Sequence, residues 1–293
     1  MKYKIIVDSS SGLNESQAKE LGWDLLPIRC EVDNKEYQIG VDIDIDKYAE
    51  MWRANKKINA LTFATPPGVA QLLVEQYQDE YDKIIIYTIS NKLSSQNKNL
   101  QAQFKDNEKV FVPESNKISY LIVRDLLMFE KKIKEGKSFE EAVKHFQDNN
   151  EKLLLVPQFN DALVKGGRLS KGAAVIAKLL KIVPIIRFDN GSLEKEDIGR
   201  VFNKTLEKKV RELYEKTPTN KENIYLVVAH ADNEDIAKHI EKFKEVANNY
   251  TNVVSFKLPA DVSIHTGVGA VCVSFAYIDP AIKEDYFKTA KIW

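Results

Sequence analysis

The sequence predicts an α/β protein of two domains, each with a mostly parallel sheet flanked by helices. Short apolar strands alternate with amphipathic helices along the 293 residues, which is the pattern of strand–helix–strand units. The segment 81–90 contains three consecutive isoleucines, as in a parallel strand that is buried on both faces. The first such series ends near residue 150, and a second begins at Leu153. The predicted domains are therefore 1–152 and 153–293.

The first domain opens with local signals for a strand, a helix and a hairpin. Residues 3–8 read as a short apolar strand, and Asn14 and Gly22 are suited to begin and end the helix that follows. Leu25–Val32 is a second strand, and Asp33-Asn34 is a turn that leads into a returning segment. The domain is thus expected to begin with a strand–loop–helix unit followed by a hairpin.

Three aspartates alternate in the next segment, as they do in a calcium-binding loop. Counting from Asp42, the sixth position is Lys47, where glycine is needed, and the twelfth is Arg53, where glutamate is needed. We therefore interpret Asp42, Asp44 and Asp46 as residues that start a helix.

Two hydroxyl-bearing segments come shortly before helices. Thr62 precedes a helix that starts at Pro67-Gly68, and Ser94 and Ser95 follow the buried strand 81–90. Ligands of α/β sheets bind beyond the carboxyl ends of strands, and the free amides of a helix N-terminus favour an anion. The two serines are therefore a candidate site for a carboxylate or phosphate, although serines that only cap a helix give the same pattern.

The second domain contains a glycine tract, 166–172, which lacks the spacing of a P-loop. Within it, Arg168 can present its guanidinium group to a partner's carboxylates or to phosphate, or it can simply be solvated. The segments Ala173–Leu180 and Val183–Phe188 are apolar enough to line a cavity or to fill a core. Asp189–Ser192 predicts a hairpin turn.

The most promising imidazole lies near the C-terminus. His265 and Thr266 are predicted in a turn, Gly267 permits a positive φ, and Ala270–Ala276 predicts a buried strand. A polar turn therefore faces an apolar strand. A tight loop with a hydrogen-bonded histidine and no ligand explains the same pattern.

Composition argues against several classes of function. Lysine plus arginine and aspartate plus glutamate number 43 each, so no net field favours a polyanion such as nucleic acid. The longest apolar runs are shorter than the roughly 20 residues of a membrane span, and the N-terminal residues lack the pattern of a secretory signal. Cys30 and Cys272 lie in apolar strand patterns, which favours buried thiols over a disulfide or a metal site. We expect a cytoplasmic protein with no transmembrane segment and no metal.

Three hypotheses use the residues named above. A serine esterase would combine Ser94 or Ser95 with Asp261 and His265, whose order matches α/β-hydrolases, but the Gly-x-Ser-x-Gly elbow is absent. A nucleotide-dependent transferase would need a P-loop or a dinucleotide fingerprint, and neither follows any strand. The third hypothesis is a carrier for an amphipathic acid, with hydroxyls and an imidazole at the head and apolar helices along the tail.

Eight short motifs resemble the DegV family, and they occur in the family's order over essentially the whole chain. They are Asp8-Ser9, Gly40-Val41-Asp42-Ile43, Thr62 before Pro67-Gly68, Ser90-Asn91-Lys92-Leu93-Ser94, Lys165-Gly166-Gly167-Arg168-Leu169-Ser170, Val183-Pro184-Ile185-Ile186, Ala229-His230-Ala231 and His265-Thr266-Gly267-Val268-Gly269. Each motif is weak alone, and the eight in register make the resemblance specific.

The resemblance implies a long-chain fatty acid in an apolar tunnel, mainly in the second domain, with its carboxyl group at the domain junction. Thr62 and Ser94 match the hydroxyls that hold the carboxyl group, and His265, followed by Thr266 and Gly267, matches the imidazole beside it. Arg168 matches the position that docks a partner kinase. The chain itself is then a carrier without catalysis or cofactor. A separate ATP-using fatty acid kinase phosphorylates the bound acid, and the acyl phosphate serves phospholipid synthesis.

Five positions depart from the family pattern. Phe63 stands where serine is usual, Asn91 where a second serine is usual, Ser95-Gln96 where Gly-Thr is usual, and Val268 where proline is usual. Phe63 could remove a polar contact or narrow the entrance, and Val268 loosens a turn that proline would stiffen. The preference for chain length and unsaturation could therefore differ from that of relatives.

Overall fold

The protein is described by a computed structural model that covers residues 1–148, 152–177, 182–218 and 222–293. It divides into two compact units. Unit 1 comprises Met1–Asp148 and Pro259–Val262, and unit 2 comprises Asn149–Leu258 and Ser263–Trp293. The sequence predicts a boundary between residues 152 and 153, whereas the units divide after Asp148 and Pro259–Val262 returns to unit 1. The predicted apolar tract Ala173–Leu180 lies outside the described residues from position 178 onward.

Unit 1 alternates strands and helices. Its strands are β1 (Tyr3–Asp8), β2 (Asp24–Leu26), β3 (Arg29–Val32), β4 (Lys35–Gln38), β5 (Ala60–Phe63), β6 (Lys83–Tyr87) and β7 (Val110–Phe111). Its helices are α1 (Glu15–Glu20), α2 (Ile45–Ala54), α3 (Pro67–Tyr77), α4 (Gln96–Gln103), α5 (Tyr120–Lys134) and α6 (Phe139–Val143), with 3₁₀ turns at Ser9–Ser11 and Lys144–Gln147.

The main sheet of unit 1 is parallel, as predicted, with strand order β2-β1-β6-β7. Because side chains alternate along β6, Ile84 and Ile86 pack on one face with residues of α3 and α4, whereas Tyr87 lies on the other face against Phe146. Both faces of the sheet are therefore covered, which explains the run of isoleucines.

Local signals for helix starts in unit 1 are confirmed. Asn14 caps α1 with a full capping box, accepting a hydrogen bond from Gln17 N at 2.8 Å, and the chain leaves the helix through Gly22 at φ +79°. Asp44 caps α2 by accepting from Lys47 N at 2.9 Å. Asp44 and Asp46 are thus helix-start residues, as interpreted, whereas Asp42 precedes the helix and accepts a hydrogen bond from Gln38 N at 2.7 Å.

A second, antiparallel sheet of unit 1 has the order β4-β3-β5. In its register, Cys30 of β3 stands directly between Tyr37 of β4 and Thr62 of β5. Directly opposed residues share one face of a sheet, and Cys30 and Tyr37 are buried, so this row faces the interior of the unit.

Unit 2 contains the remaining elements. Its strands are β8 (Leu153–Val156), β9 (Val183–Asp189), β10 (Ser192–Gly199), β11 (Ile224–His230), β12 (Val253–Lys257), β13 (Val271–Tyr277) and β14 (Lys291–Ile292). Its helices are α7 (Asp161–Gly166), α8 (Lys171–Ala177), α9 (Phe202–Glu215), α10 (Ile236–Val246) and α12 (Lys283–Phe287), and α11 (Ala260–Thr266) begins in unit 1 and ends in unit 2.

The prediction of a mostly parallel sheet is wrong for unit 2. Its strand order is β10-β9-β8-β13-β11-β12-β14, and among the described strands only β11 and β12 pair in parallel. The reason is topological. A tight hairpin joins β9 to β10, and the late strand β13 inserts antiparallel between β8 and β11. Only β11–α10–β12 forms the crossover unit that alternation of strands and helices favours.

Two local predictions in unit 2 have different outcomes. The hairpin turn is confirmed, because Asn190 and Gly191 both have positive φ between β9 and β10. The predicted turn around His265 is wrong, since residues up to Thr266 complete α11 and the chain turns only at Gly267, with φ +89°. No glycine or proline interrupts 260–266, so nothing in that segment prevents a short helix.

The core of unit 2 forms where α9 and α10 cover one face of the sheet. Leu206 and Val210 of α9 and Ile240 and Phe243 of α10 are fully buried against the central strands. Within the described parts of the chain, no helix is both long and apolar enough to cross a bilayer.

Candidate functional site

The carboxyl ends of β1 and β6 meet at one edge of the parallel sheet of unit 1. There Ser10 Oγ and Ile89 N both donate hydrogen bonds to Asp8, the latter at 3.0 Å. Ser90 N in turn donates to Lys117 O at 2.8 Å, which fixes the loop after β6. Ligands of parallel sheets bind at such an edge.

Thr62 lies on the inward face of β5, beside Cys30. Its neighbours Leu61 and Phe63 point the other way and are exposed, Phe63 by 42%. Phe63 is therefore on the opposite face of the strand from Thr62. The expectation that Phe63 removes a polar contact or narrows the entrance stays a prediction.

Ser94 lies in the turn that leads into α4. Its backbone amide donates to Ser90 O at 3.1 Å, and its Oγ accepts from Gln96 N at 3.2 Å. Ser94 is half-buried, whereas Ser95 is exposed and its side chain makes no capping hydrogen bond. Of the two serines, Ser94 is the one held in a defined position.

A pair of side chains that the sequence interpretation did not assign joins the two hydroxyl loops. Thr65 N donates to Gln96 Oε1 at 2.9 Å, and Gln96 Nε2 donates to Thr65 Oγ1 at 2.8 Å. Both residues are buried. This reciprocal pair ties the loop after Thr62 to the start of α4, two residues after Ser94. Gln96 had already stood out as a departure from the family pattern, which was the available signal.

Two carboxyl groups are buried together in unit 1. Burial raises the pKa of Asp8 to about 7, against the hydrogen bonds from Ser10 and Ile89, which lower it. Burial, and then the nearby charge of Asp8, raises the pKa of Asp261 to about 7. One oxygen of Asp261, Oδ1, has no hydrogen-bond partner in the described part of the chain. From the sequence, Asp261 was a candidate only as a member of the esterase triad.

His265 lies in the last turn of α11, in unit 2. Burial, and then the positive charge of Arg168, lowers the pKa of the imidazole to about 4. Gly166 passes so close that a Cβ there would stand 3.0 Å from His265 Nδ1, so a side chain at position 166 would displace the ring. The imidazole is therefore neutral at physiological pH.

Thr266 and Gly267 follow directly and are both buried. Gly267 N donates to Ser263 O at 2.8 Å, which closes the end of the helix, and its positive φ turns the chain toward β13.

Arg168 is exposed on the loop after α7, where Gly167 adopts φ +65°. Its Nη1 donates to Gly166 O at 2.6 Å. The same arginine therefore does two things in unit 2: it presents charge to solvent and it acts electrostatically on His265.

The predicted site residues thus fall into two described groups. Thr62 and Ser94 belong to unit 1, where the Thr65–Gln96 pair links their loops. His265, Thr266, Gly267 and Arg168 belong to unit 2. A head-group site that combines the two groups stays a prediction.

The electrostatics argue against the esterase hypothesis. A general base works best when its pKa is close to the working pH, whereas that of His265 is near 4. Asp261, with its pKa near 7, is not a firmly ionised partner for a catalytic histidine.

Within the described residues, no group of three or more potential metal-ligating side chains is found.

A family model and a relative with a similar sequence indicate the same protein family. The family model for uncharacterised proteins of the DegV family matches residues 2–277. A DegV domain-containing protein of Mycoplasmopsis pulmonis is 39% identical over 281 residues, covering 95% of this chain and 96% of that one.

Two solved structures share the fold. DegV of Bacillus subtilis, described as a fatty acid binding protein, has a TM-score of 0.81 at 22% identity and covers 94% of this chain and 99% of its own. A fatty acid binding DegV family protein from Streptococcus agalactiae has a TM-score of 0.80 at 23% identity, with 94% and 98% covered. The match of the family model over most of the chain, together with the close relative, shows that this chain belongs to the DegV family.

Proposed function

We propose that this chain binds a long-chain fatty acid and carries it to a separate, ATP-using fatty acid kinase. In this proposal, Thr62 and Ser94 hold the carboxyl group together with the neutral imidazole of His265, and Thr266 and Gly267 form the turn beside it. The observation that carries the proposal is the pair of hydroxyl loops at the carboxyl edge of unit 1, tied together through Thr65 and Gln96. The two solved relatives described as fatty-acid-binding support it.

Burial of the tail would supply most of the affinity. An acyl chain of sixteen carbons gains on the order of 10 kcal/mol when it leaves water, at about 0.8 kcal/mol per methylene, before ordering costs are subtracted. The carboxylate needs donors once it is out of bulk water, and hydroxyl groups provide them without a fixed positive charge. A head site of this kind leaves a carboxylate oxygen available for phosphoryl transfer by the partner.

The proposal is tested by extracting the purified protein with organic solvent and identifying the extract by mass spectrometry. We expect one acyl chain per protein molecule, and stearate added to delipidated protein should bind. A folded protein that yields no lipid and binds no added fatty acid would contradict the proposal.

The two buried free thiols, Cys30 and Cys272, support a reducing compartment such as the cytoplasm for the carrier.

Removing either head-group hydroxyl should weaken stearate binding. Thr62→Val and Ser94→Ala each take away one donor to a charged group, so we expect a loss of about 1–3 kcal/mol, measured by titration calorimetry or a fluorescent acyl probe. Thr62→Ser, which keeps the hydroxyl, and Ser95→Ala, which changes the exposed neighbour, are the matched controls. Equal affinities of the wild type, Thr62→Val and Ser94→Ala would exclude both hydroxyls from the head site.

Arg168 is proposed to dock the kinase. Arg168→Glu should lower acyl phosphate formation by a partner kinase at least about tenfold, because a desolvated charge pair at an interface would be reversed. Lys165→Glu, three residues away and also exposed, is the control for net charge. Stearate binding is compared at about pH 8, where His265 is neutral in either variant. Unchanged turnover with Arg168→Glu would refute the docking role.

A further inference from the structure

The residues on both sides of α11 are bonded to one segment of unit 2, residues 230–233. Leu258 N, two residues before the helix, donates to His230 O at 2.8 Å. Gly269 N, three residues after it, donates to Ala231 O at 2.6 Å. The segment that follows β11 therefore fixes the backbone on either side of the helix that carries the proposed head-group imidazole.

Asn233 adds a side-chain link from the same segment. It is only 5% exposed, and its backbone amide donates to His230 Nδ1 at 3.2 Å. Its side-chain Oδ1 accepts from Asp235 N at 3.0 Å, and its Nδ2 donates to Gly269 O at 2.7 Å. Both partners of the side chain are backbone groups, which cannot exchange donor and acceptor roles. A side chain that satisfies both must therefore offer one acceptor and one donor, as an amide does.

The turn that Asn233 contacts contains two glycines in unusual conformations. Gly267 and Gly269 have φ +89° and +87°. A Cβ at Gly269 would stand 1.8 Å from Gln158 Oε1, and one at Gly267 would stand 3.4 Å from Phe159 O, so both positions are crowded. Glycine loses more conformational freedom on folding than any other residue, so such a turn needs outside hydrogen bonds to keep one conformation. The bond from Asn233 is one of them.

A restraint at Gly269 reaches His265 through the backbone. Ala270 N donates to Gly267 O at 3.2 Å, and Gly267 N donates to Ser263 O at 2.8 Å in the last turn of α11. His265 lies inside the ring that the second of these bonds closes. Two successive backbone hydrogen bonds therefore connect the turn to the segment that carries the imidazole.

We propose that Asn233 is a positioning residue for acid binding: its hydrogen bond to Gly269 O fixes the turn after α11 and so keeps the imidazole of His265 in place for the carboxylate. The inference rests on the proposed function, because it takes His265 to contact the acid's head. Asn233 itself does not touch the ligand, and no covalent bond is made or broken.

The restraint is tested first without ligand. In the delipidated full chain, amide hydrogen exchange of peptides that cover 263–270 should be at least about fivefold faster in Asn233→Ala than in the wild type, whereas peptides from β12 should not change. Asn233→Asp should give the same increase, because it keeps the acceptor and places a second oxygen opposite the Gly269 carbonyl. Equal exchange in the wild type and Asn233→Ala would overturn the inference.

The matched control is Asn252→Asp. The Nδ2 of Asn252 donates to Ile224 O at 3.3 Å, so this variant also removes an amide donor from a backbone carbonyl of unit 2, at the other end of β11. Exchange in 263–270 should stay at the wild-type rate in this variant. Faster exchange there would mean that any loss of such a bond loosens the turn, which would also overturn the specific role of Asn233.

Stearate binding then tests whether the restraint serves the carboxylate. Asn233→Ala and Asn233→Asp should each lower the affinity for stearate about tenfold, because a hydrogen bond to a charged group is lost or misdirected. The affinity for methyl stearate, whose head is uncharged, should change less than about twofold. Asn252→Asp should bind both ligands as the wild type does. Equal losses for stearate and methyl stearate would show a purely structural role and overturn the inference.

A double-mutant cycle with His265 identifies the group through which Asn233 acts. His265→Ala should weaken stearate binding about tenfold, and Asn233→Ala should then weaken it less than about twofold further, because the group that it positions is gone. Additive losses would overturn the inference. So would wild-type affinity in His265→Ala, with fatty acid binding itself left intact. If the folded wild type binds no stearate, the proposed function fails and this inference fails with it.

Discussion

Replacing Asp125 by alanine is expected to lower the free energy of unfolding of unit 1 by about 3–5 kcal/mol. Asp125 lies in α5, almost fully buried, and its Oδ2 accepts from the Tyr87 hydroxyl at 2.9 Å. The same oxygen lies 3.4 Å from Nζ of Lys117, which is only 4% exposed. Loss of the carboxylate leaves a buried ammonium group without its main counter-charge, since the charge of Asp148 acts on Lys117 less strongly.

Other contacts of Lys117 do not replace the lost carboxylate. Its Nζ donates to the carbonyl oxygens of Phe146 and Asp148, which are dipoles and carry no net charge. Burial already lowers the pKa of Lys117, and Asp125 is the first among the groups that oppose this shift. In the variant, the lysine must lose its proton or draw water into the core, and both outcomes cost stability.

The measurement is amide hydrogen exchange, followed by mass spectrometry, in peptides from β1 and β6, which reports on unit 1 by itself. Glu135→Ala is the matched control, since it removes an exposed carboxylate from an ion pair with Lys131 at the end of α5, and should change stability by less than about 1 kcal/mol. The double variant Asp125→Leu, Lys117→Met should recover much of the loss. Equal protection in Asp125→Ala and the wild type would show that the network contributes nothing to stability.

Elements with a local signal were predictable from the sequence. The cap at Asn14, the aspartate at the start of α2 and the hairpin at Asn190-Gly191 each depend on a few neighbouring residues, and all are confirmed. The strand direction in unit 2 was not predictable in this way. It depends on where β13 inserts, more than 110 residues after β8 along the chain, and no local pattern encodes that pairing.

The candidate site shows the same difference between features that neighbouring residues determine and features that distant residues determine. Thr62 and Ser94 were predicted by resemblance, and the turn at Gly267 by its residue type. Short-range patterns did not predict the Thr65–Gln96 pair, which bridges 31 positions, nor the burial of Asp8 together with Asp261. Aspartate side chains are usually solvated, so only the tertiary structure reveals that these two carboxyls share a dry environment.

That dry environment should also affect stability without any ligand. Replacing Asp261 by asparagine is expected to raise the free energy of unfolding of unit 1 by about 2–4 kcal/mol at pH 8, because a buried charge is no longer required there. The sign follows from the pKa of Asp261, which is raised from 3.8 to about 7 in the folded chain. The folded state therefore holds its proton more tightly than the unfolded state. The contribution of Asp261 to wild-type stability is therefore fully present below about pH 4 and is lost as the pH rises through 7.

The difference between Asp261→Asn and the wild type should thus be small near pH 4, grow between pH 4 and 7, and stay level above that. Hydrogen exchange in β1 peptides of delipidated protein, corrected for the intrinsic effect of pH, measures it. Glu141→Gln, also in unit 1, is the control with the opposite sign, because the hydrogen bond from Ser138 N lowers the pKa of that exposed carboxyl. A stability gain that is already complete at pH 4 would mean that packing, and not ionisation, distinguishes the asparagine variant. The ionisation of Asp261 would then contribute nothing to the pH dependence of stability.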